Sequence, residues 1–268
     1  MSETNRQSLT VTEALTRFHD RYAGGSGVVF GNALRSDGRS TYAALAAHAG
    51  GAVLDLACGD GSLTAAVLAR GIPTVTGLDQ NRTELAQARA RFPELAFVEG
   101  DARDLPFPDG AFDTVLCHMA LMLIPDGDRV AAEVRRVLRP GGGFAGVVGD
   151  GLDTTNPVVP ALMPAINTVV AEAGLHIDYP GERWTDAEVA GRFPGWAATS
   201  EVAVLEQHVP LERFAHFVTL HYYGVGLLDG AFADHARELA LEVGRAHAVD
   251  GRVRWTTRTR AFSLRAPA

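Results

Sequence analysis

Cysteine is scarce in this chain. Only two occur in the 268 residues, Cys58 and Cys117, each inside an apolar stretch. A chain of this length buries enough surface to stand without staples, so both are expected to be reduced thiols. Positive charge is also short, with 24 Lys plus Arg against 32 Asp plus Glu and a net charge of −8. That balance argues against a general nucleic-acid binder, which needs a basic footprint, although Arg252, Arg254, Arg258 and Arg260 form one local basic stretch. No apolar run approaches the roughly 20 residues that span a bilayer. The opening "MSETNRQSLTVTEAL" has neither the basic start nor the apolar stretch of a secretion signal, so a cytoplasmic protein without a membrane partner is expected. No His, Cys or carboxylate spacing matches a metal set, and neither an internal repeat nor a low-complexity linker occurs.

What the chain does have is alternation. From residue 52, short apolar runs ("AVLDLA", "TVTGLD", "AFVEGD", "FDTVLCHMAL", "GFAGVVGD") interleave with helical stretches, the last of them "DRVAAEVRRVLRPGG", stopped by proline and glycine. Apolar strands between helices predict a doubly wound parallel sheet, with ligands beyond the C-terminal ends of its strands. Before it, residues 10–22 read as a helix and 21–40 as a glycine-rich loop or lid. After it come a helix near 158–173, a short helix in "TDAEVAGRF", a strand "TSEVAVLEQHV" and an aromatic helix "LERFAHFVTLHYYGVGLL". A helix over 231–248 and a final alternating strand "RVRWTTRTRAFSLR" close the chain. The expected organisation is an N-terminal segment (1–50), a ligand-binding core (51–150) and a helical cover with the last strands (151–268).

The stretch "VLDLACGDG" (53–61) leaves a strand and opens a helix at Ser62, with glycines where a ligand could approach the main chain. Asp79 closes the next strand 18 positions beyond Gly61, the reach needed for a ribose, and Asp101 closes the one after. A nicotinamide site is disfavoured: its G-x-G-x-x-G pattern would place a small residue where Thr64 stands. Taken together, "VLDLACGDG", "GLDQN", "EGDARDLPFPDGAFDTVLCHMALMLIPD" and "VLRPGGGF" (within 52–149) resemble the class I S-adenosylmethionine-dependent methyltransferases, in the small-molecule branch of the domain 11/25 type. The resemblance implies a Rossmann-like seven-stranded sheet with an antiparallel last strand. It places Asp55, Ala57, Cys58, Gly59 and Gly61 at the amino-acid end of the cofactor. Asp79 would bind the ribose, Gln80 the adenine face, and Asp101 with Ala102 the adenine edge. His118 and Met119 would lie near the sulfonium, and His19 and Tyr22 under N-terminal helices that close over it. Ala57 stands where many relatives have glycine.

For chemistry, His118 follows the strand "FDTVLC" and is either a base or a pocket wall. Of His221, Tyr222 and Tyr223 in "HYYG", one is expected to reach the acceptor, because three hydrogen-bonding rings in a row cannot all face inward without partners. The aromatic stripe around Phe214 and Phe217 reads as core or as substrate box. Arg35 or Arg39 could meet a substrate carboxylate, and His48, His176, His208, His235 and His247 read as surface or structural. The expected function is methyl transfer from S-adenosylmethionine, leaving S-adenosylhomocysteine, to a small, partly apolar metabolite of specialised metabolism, by a monomer or homodimer. The alternative is a cofactor-binding but non-methylating catalyst, or a binding module, of the same fold. A nucleic-acid or protein methyltransferase is disfavoured by the acidic balance and the lack of an "N-P-P-Y"-like motif.

Overall fold

The computed structural model describes residues 7–268, so the first six residues of the expected N-terminal segment lie outside it. The chain opens with β1 (Gln7–Thr10) and α1 (Val11–Arg21), the helix started by a reciprocal cap between Thr10 and Glu13. Two short helices follow, α2 (Gly25–Phe30) and α3 (Thr41–Ala46). The alternating region then gives β2 (Val53–Leu56), α4 (Ser62–Ala69), β3 (Val75–Asp79), α5 (Arg82–Arg91), β4 (Ala96–Glu99) and β5 (Phe112–His118). It finishes with α6 (Gly127–Val137) and β6 (Leu138–Gly149). Beyond it lie α7 (Val158–Glu172), β7 (Leu175–Asp178), α8 (Asp186–Arg192) and β8 (Ala197–Pro210). Last come α9 (Leu211–His221), α10 (Tyr223–Gly226), α11 (Gly230–His247), β9 (Ala248–Val249) and β10 (Arg252–Arg265).

Seven strands form one sheet in the order β4-β3-β2-β5-β6-β10-β8, and the two-residue β9 adds to β10. The first five run parallel, whereas β10 is antiparallel to both β6 and β8. This is the doubly wound sheet that the apolar runs predict, with the antiparallel last strand that the family resemblance implies. All four residues of β2 are buried, as a central parallel strand covered on both faces requires. Leu54 and Leu56 pack with Val115, Phe144, Val134 and Trp184 on one face. Val53 points the other way, into a core with Leu116, Val147, Phe217 and Trp255. Asp55 shares that second side by the two-residue period, and this sends its carboxylate towards α4.

The structure departs from the sequence reading in four places. The glycine-rich 21–40 segment contains a helix, α2, because its glycines allow contact: a Cβ at Gly27 would meet the Asp60 carboxylate at 2.5 Å. The helix before "RPGG" ends at Val137, and Leu138 is already extended, so β6 takes in Pro140 and the glycines as an irregular start. The aromatic helix breaks at Tyr222, whose extended backbone separates α9 from α10. Finally, β1 pairs in parallel with the short, half-exposed β7 to make a second, two-stranded sheet.

Gly226 sets how closely α10 approaches the N-terminal helix. A Cβ there would lie 2.4 Å from the ring of Phe18, which is 1% exposed. Gly226→Ala is expected to cost about 1–3 kcal/mol through overpacking, read as a lowered urea midpoint with an unchanged slope.

Candidate active site

A crevice of about 660 Å³ opens at the C-terminal ends of β2, β3, β4 and β5, where ligands of doubly wound sheets bind. Its floor is the turn after β2. Ala57, Gly59 and Gly61 all have left-handed backbone, with φ of +57°, +50° and +78°. A buried carboxylate holds the turn in shape: Asp79 accepts the Gly59 amide at 2.8 Å through one oxygen and the Asn81 amide at 2.8 Å through the other. Asp55 accepts the Thr64 hydroxyl at 2.6 Å, and Asp60 accepts the Ser62 amide at 3.1 Å while pairing with Arg91. Glu84, from the first turn of α5, completes a group of four acids around the turn.

Four carboxylates with one arginine between them leave a strongly negative pocket. Burial pushes Asp55 up to about 7, with the Asp79 charge adding to the effect, and burial also raises Asp79. A cationic group seated among them would relieve both. The ammonium and sulfonium of S-adenosylmethionine, next to a main chain bare enough for close approach, fit this floor.

The roof is the N-terminal segment. Glu84 accepts the Gly24 amide at 3.1 and 3.2 Å and lies 2.6 Å from His19 Nδ1, while Thr83 donates to Asp20 at 2.8 Å. These contacts tie α1 to α5 across the crevice, and Thr12, Leu15, Thr16 and His19 line it from above. Neither Asp60 nor Glu84 was assigned a role from the sequence. Asp60 stood inside the quoted motif and carried the signal, whereas Glu84 occupies a helix position where glutamate ordinarily caps its own helix.

Of the residues singled out from sequence, Asp55, Ala57, Cys58, Gly59, Asp79, Gln80, Asp101, Ala102, His118 and Met119 all line the crevice, as do His221 and Tyr223. Both oxygens of Asp101 are engaged by Arg103, which holds that carboxyl below its usual range. Three expected residues do not line it. Gly61 faces Phe97, whose ring a Cβ would meet at 2.8 Å, so this glycine serves packing. Tyr22 packs on Phe18 and His216 outside the crevice. Tyr222, at the helix break, turns into the core against Trp255, and its hydroxyl is buried without a partner. Arg35 and Arg39 line a separate outer cleft and pair with Glu201 and Asp37.

The inner end of the crevice is aromatic and apolar. His118 sits with its ring 4.3 Å from Tyr42 and 5.3 Å from Phe30, and its Nε2 lies 2.8 Å from the Thr41 hydroxyl. Burial lowers His118 to about 3 and His221 to about 4, so both rings are neutral at pH 7. Among the described residues no cluster of His, Cys, Asp or Glu could hold a metal ion, and no helix is long and apolar enough to cross a membrane.

The sheet order, the acid-ringed glycine turn and the crevice above it define the fold of the class I methyltransferases. A family profile described as a methyltransferase domain matches residues 54–146, about a third of the chain. Over 104 residues the chain is 41% identical to a demethylmenaquinone methyltransferase of Beutenbergia cavernae, covering 39% of this chain and 43% of that one. Over 96 residues it is 48% identical to a fatty-acid O-methyltransferase of Mycolicibacterium smegmatis, covering 34% of this chain and 35% of that one. The matches thus span less than half of either relative. The crystal structure of the [4+2]-cyclase SpnF superposes with a TM-score of 0.58 over 97% of each chain at 18% identity, a likeness of fold alone.

The raised pKa of Asp55 has a signed consequence. A carboxyl raised in the folded state stabilises below its unfolded pKa, and that contribution is lost as pH rises from about 4 through about 7. Without added cofactor, Asp55→Asn is expected to match the wild type near pH 4 and to exceed it by about 4 kcal/mol at pH 8. Urea denaturation at a series of pH values reads the gap directly; a gap that stays constant across them contradicts the assignment.

Proposed function

We propose that this protein transfers a methyl group from S-adenosylmethionine to an uncharged, largely apolar small molecule. The acceptor atom is an oxygen, nitrogen or carbon nucleophile, and specialised metabolism is the setting we infer. The observation that carries the reading is the meeting of two environments in one crevice: an acid-ringed turn, and apolar and aromatic walls from Val29, Phe30, Tyr42, Met122 and Leu220. The residues expected in the cofactor site extend through 51–150, with the helices of 7–50 over them and 151–268 adding a helical cover and the last strands of the same sheet.

When bound, S-adenosylmethionine supplies a methyl group on a positively charged sulfur, already activated for displacement. The protein's task is therefore to hold and orient. Asp55, Asp60 and the turn at 57–59 would take the methionine end, Asp79 the ribose, and Gln80 with Ala102 the base. Glu84 and His19 would keep the roof closed, excluding water and strengthening each polar contact inside. The chamber would then place the nucleophile at roughly 3–3.5 Å from the methyl carbon.

The chamber's charge supports the acceptor class. Among its described lining residues the cations are Arg82 and Arg103, both at the mouth, and each is held by an acid, Glu99 and Asp101 respectively. No free cation is left for a carboxylate or phosphate on the acceptor. The demethylmenaquinone and fatty-acid enzymes similar to the central domain are named for small molecules with long apolar parts, which agrees with a small, largely apolar acceptor.

Calorimetry with S-adenosylhomocysteine tests the site, and absence of heat at millimolar ligand would refute it. Asp79→Ala is expected to weaken binding by about 1.5–3 kcal/mol, roughly tenfold to 150-fold, since it removes hydrogen bonds to a charged group and frees the Gly59 turn. Incubation with S-adenosylmethionine and a panel of phenols, quinols and long-chain alcohols should release S-adenosylhomocysteine, with fatty acids, which carry a carboxylate, as the expected negatives. Tight cofactor binding with acceptor conversion but no S-adenosylhomocysteine would instead identify a non-methylating catalyst.

A further inference from the structure

The wall between the inner chamber and the outside is thin at one point, where a single hydrogen bond crosses it. On the chamber side, His118 ends β5 and lines the crevice. On the other side, Thr41 begins α3 and lines a second cleft of about 320 Å³ between α3 and the face of β6, β10 and β8. That cleft reaches solvent through the exposed residues Arg39, His48, Thr199 and Glu201. The Thr41 hydroxyl and His118 Nε2 are 2.8 Å apart. Among the described residues this is the ring's only hydrogen bond, which leaves Nδ1 for whatever occupies the chamber.

A methyl acceptor with an O–H or N–H group loses a proton on transfer, inside a space whose roof is tied down by Glu84 and whose mouth the bound cofactor and acceptor would fill. His118 is badly placed to store that proton. It lies between the rings of Phe30 and Tyr42, with no carboxylate in hydrogen-bond reach, so a charged imidazolium is expensive there. The depressed pKa of the ring, caused by burial, expresses the same cost. A ring that passes one proton on as it receives another never carries the full charge.

We propose that Thr41 is a relay residue that lets the acceptor's proton leave through the wall: His118 takes it at Nδ1 and gives its Nε2 proton to the Thr41 hydroxyl, which releases its own to water in the outer cleft. Proton count and charge balance at each atom, one arriving as one departs, and the net proton appears in the outer water. After the products leave, the ring regains its starting tautomer by exchange with water. The relay's catalytic role rests on the methyl-transfer reading, whereas its ground state, a neutral Nε2–H ring donating to Thr41, does not.

The two are tested separately. Full-length protein labelled with ¹⁵N-histidine gives the tautomer from long-range ¹H–¹⁵N spectra, with His118 assigned through His118→Gln. The expected result is a neutral Nε2–H ring from pH 5 to 8, displaced towards a tautomer mixture in Thr41→Val and restored in Thr41→Ser. A dominant Nδ1–H tautomer in the wild type overturns the relay, whether or not an acceptor is known. With a phenol or quinol that the wild type methylates, Thr41→Val should lower kcat roughly ten- to a hundredfold with little change in KM. It should also straighten a bowed solvent proton inventory, and Thr41→Ser should retain both. An unchanged kcat and inventory in Thr41→Val overturns the relay while leaving methyl transfer intact. Failure of the wild type to methylate any acceptor in the panel counts against the functional reading, and the tautomer result still decides the ground state.

Discussion

The grip of Asp79 on the backbone of the β2–α4 turn is the contact on which the rest of the site depends. An aspartate at the end of β3 reaches sideways to the amide of Gly59, and in doing so it fixes a loop whose residues adopt left-handed backbone. Its second oxygen starts the next helix by accepting from Asn81. One carboxylate thereby sets the floor of the crevice, the register of two strand ends and the direction of α5. From α5, Glu84 then secures the roof. The cost is a desolvated carboxylate, raised in pKa, whose hydrogen-bond partners among the described residues are two backbone amides and not an arginine or lysine.

How much of this was legible in the sequence follows from what each residue does locally. Asp55, Asp79 and Asp101 end apolar runs, and the glycines after Asp55 break the helical and strand periods, so the pattern exposed the turn and the acids that close it. The sheet was legible for the same reason: apolar runs separated by amphipathic helices leave few other arrangements. Glu84 was not legible, because its distinguishing contacts are with His19 and Gly24, 65 and 60 residues away. Gly61 misled in the opposite direction. It belongs to the motif by spacing but is needed because Phe97 fills the place of its side chain.

The same limit explains the aromatic segment. "HYYG" reads as three rings competing for partners, and the chain resolves the competition by breaking the helix between them. Tyr223 then joins the crevice and Tyr222 the core, a division that depends on one extended residue and on the position of Trp255. The glycine-rich 21–40 stretch reads as a loop or lid, yet Gly25 and Gly27 lie in α2, where an added Cβ would meet Leu220 at 3.3 Å and Asp60 at 2.5 Å. Composition tells that glycine is present and not which of its two uses applies.

The small β1–β7 sheet ties the strand leading into α1 to the strand that follows α7. Roof and outer shell are therefore stitched along one seam, in addition to the latch at Glu84. A door hung on both sides does not flap from its free end. Any movement of α1 that widens the crevice must carry the seam with it or pivot about it, so a pair of four-residue strands constrains how the roof can open.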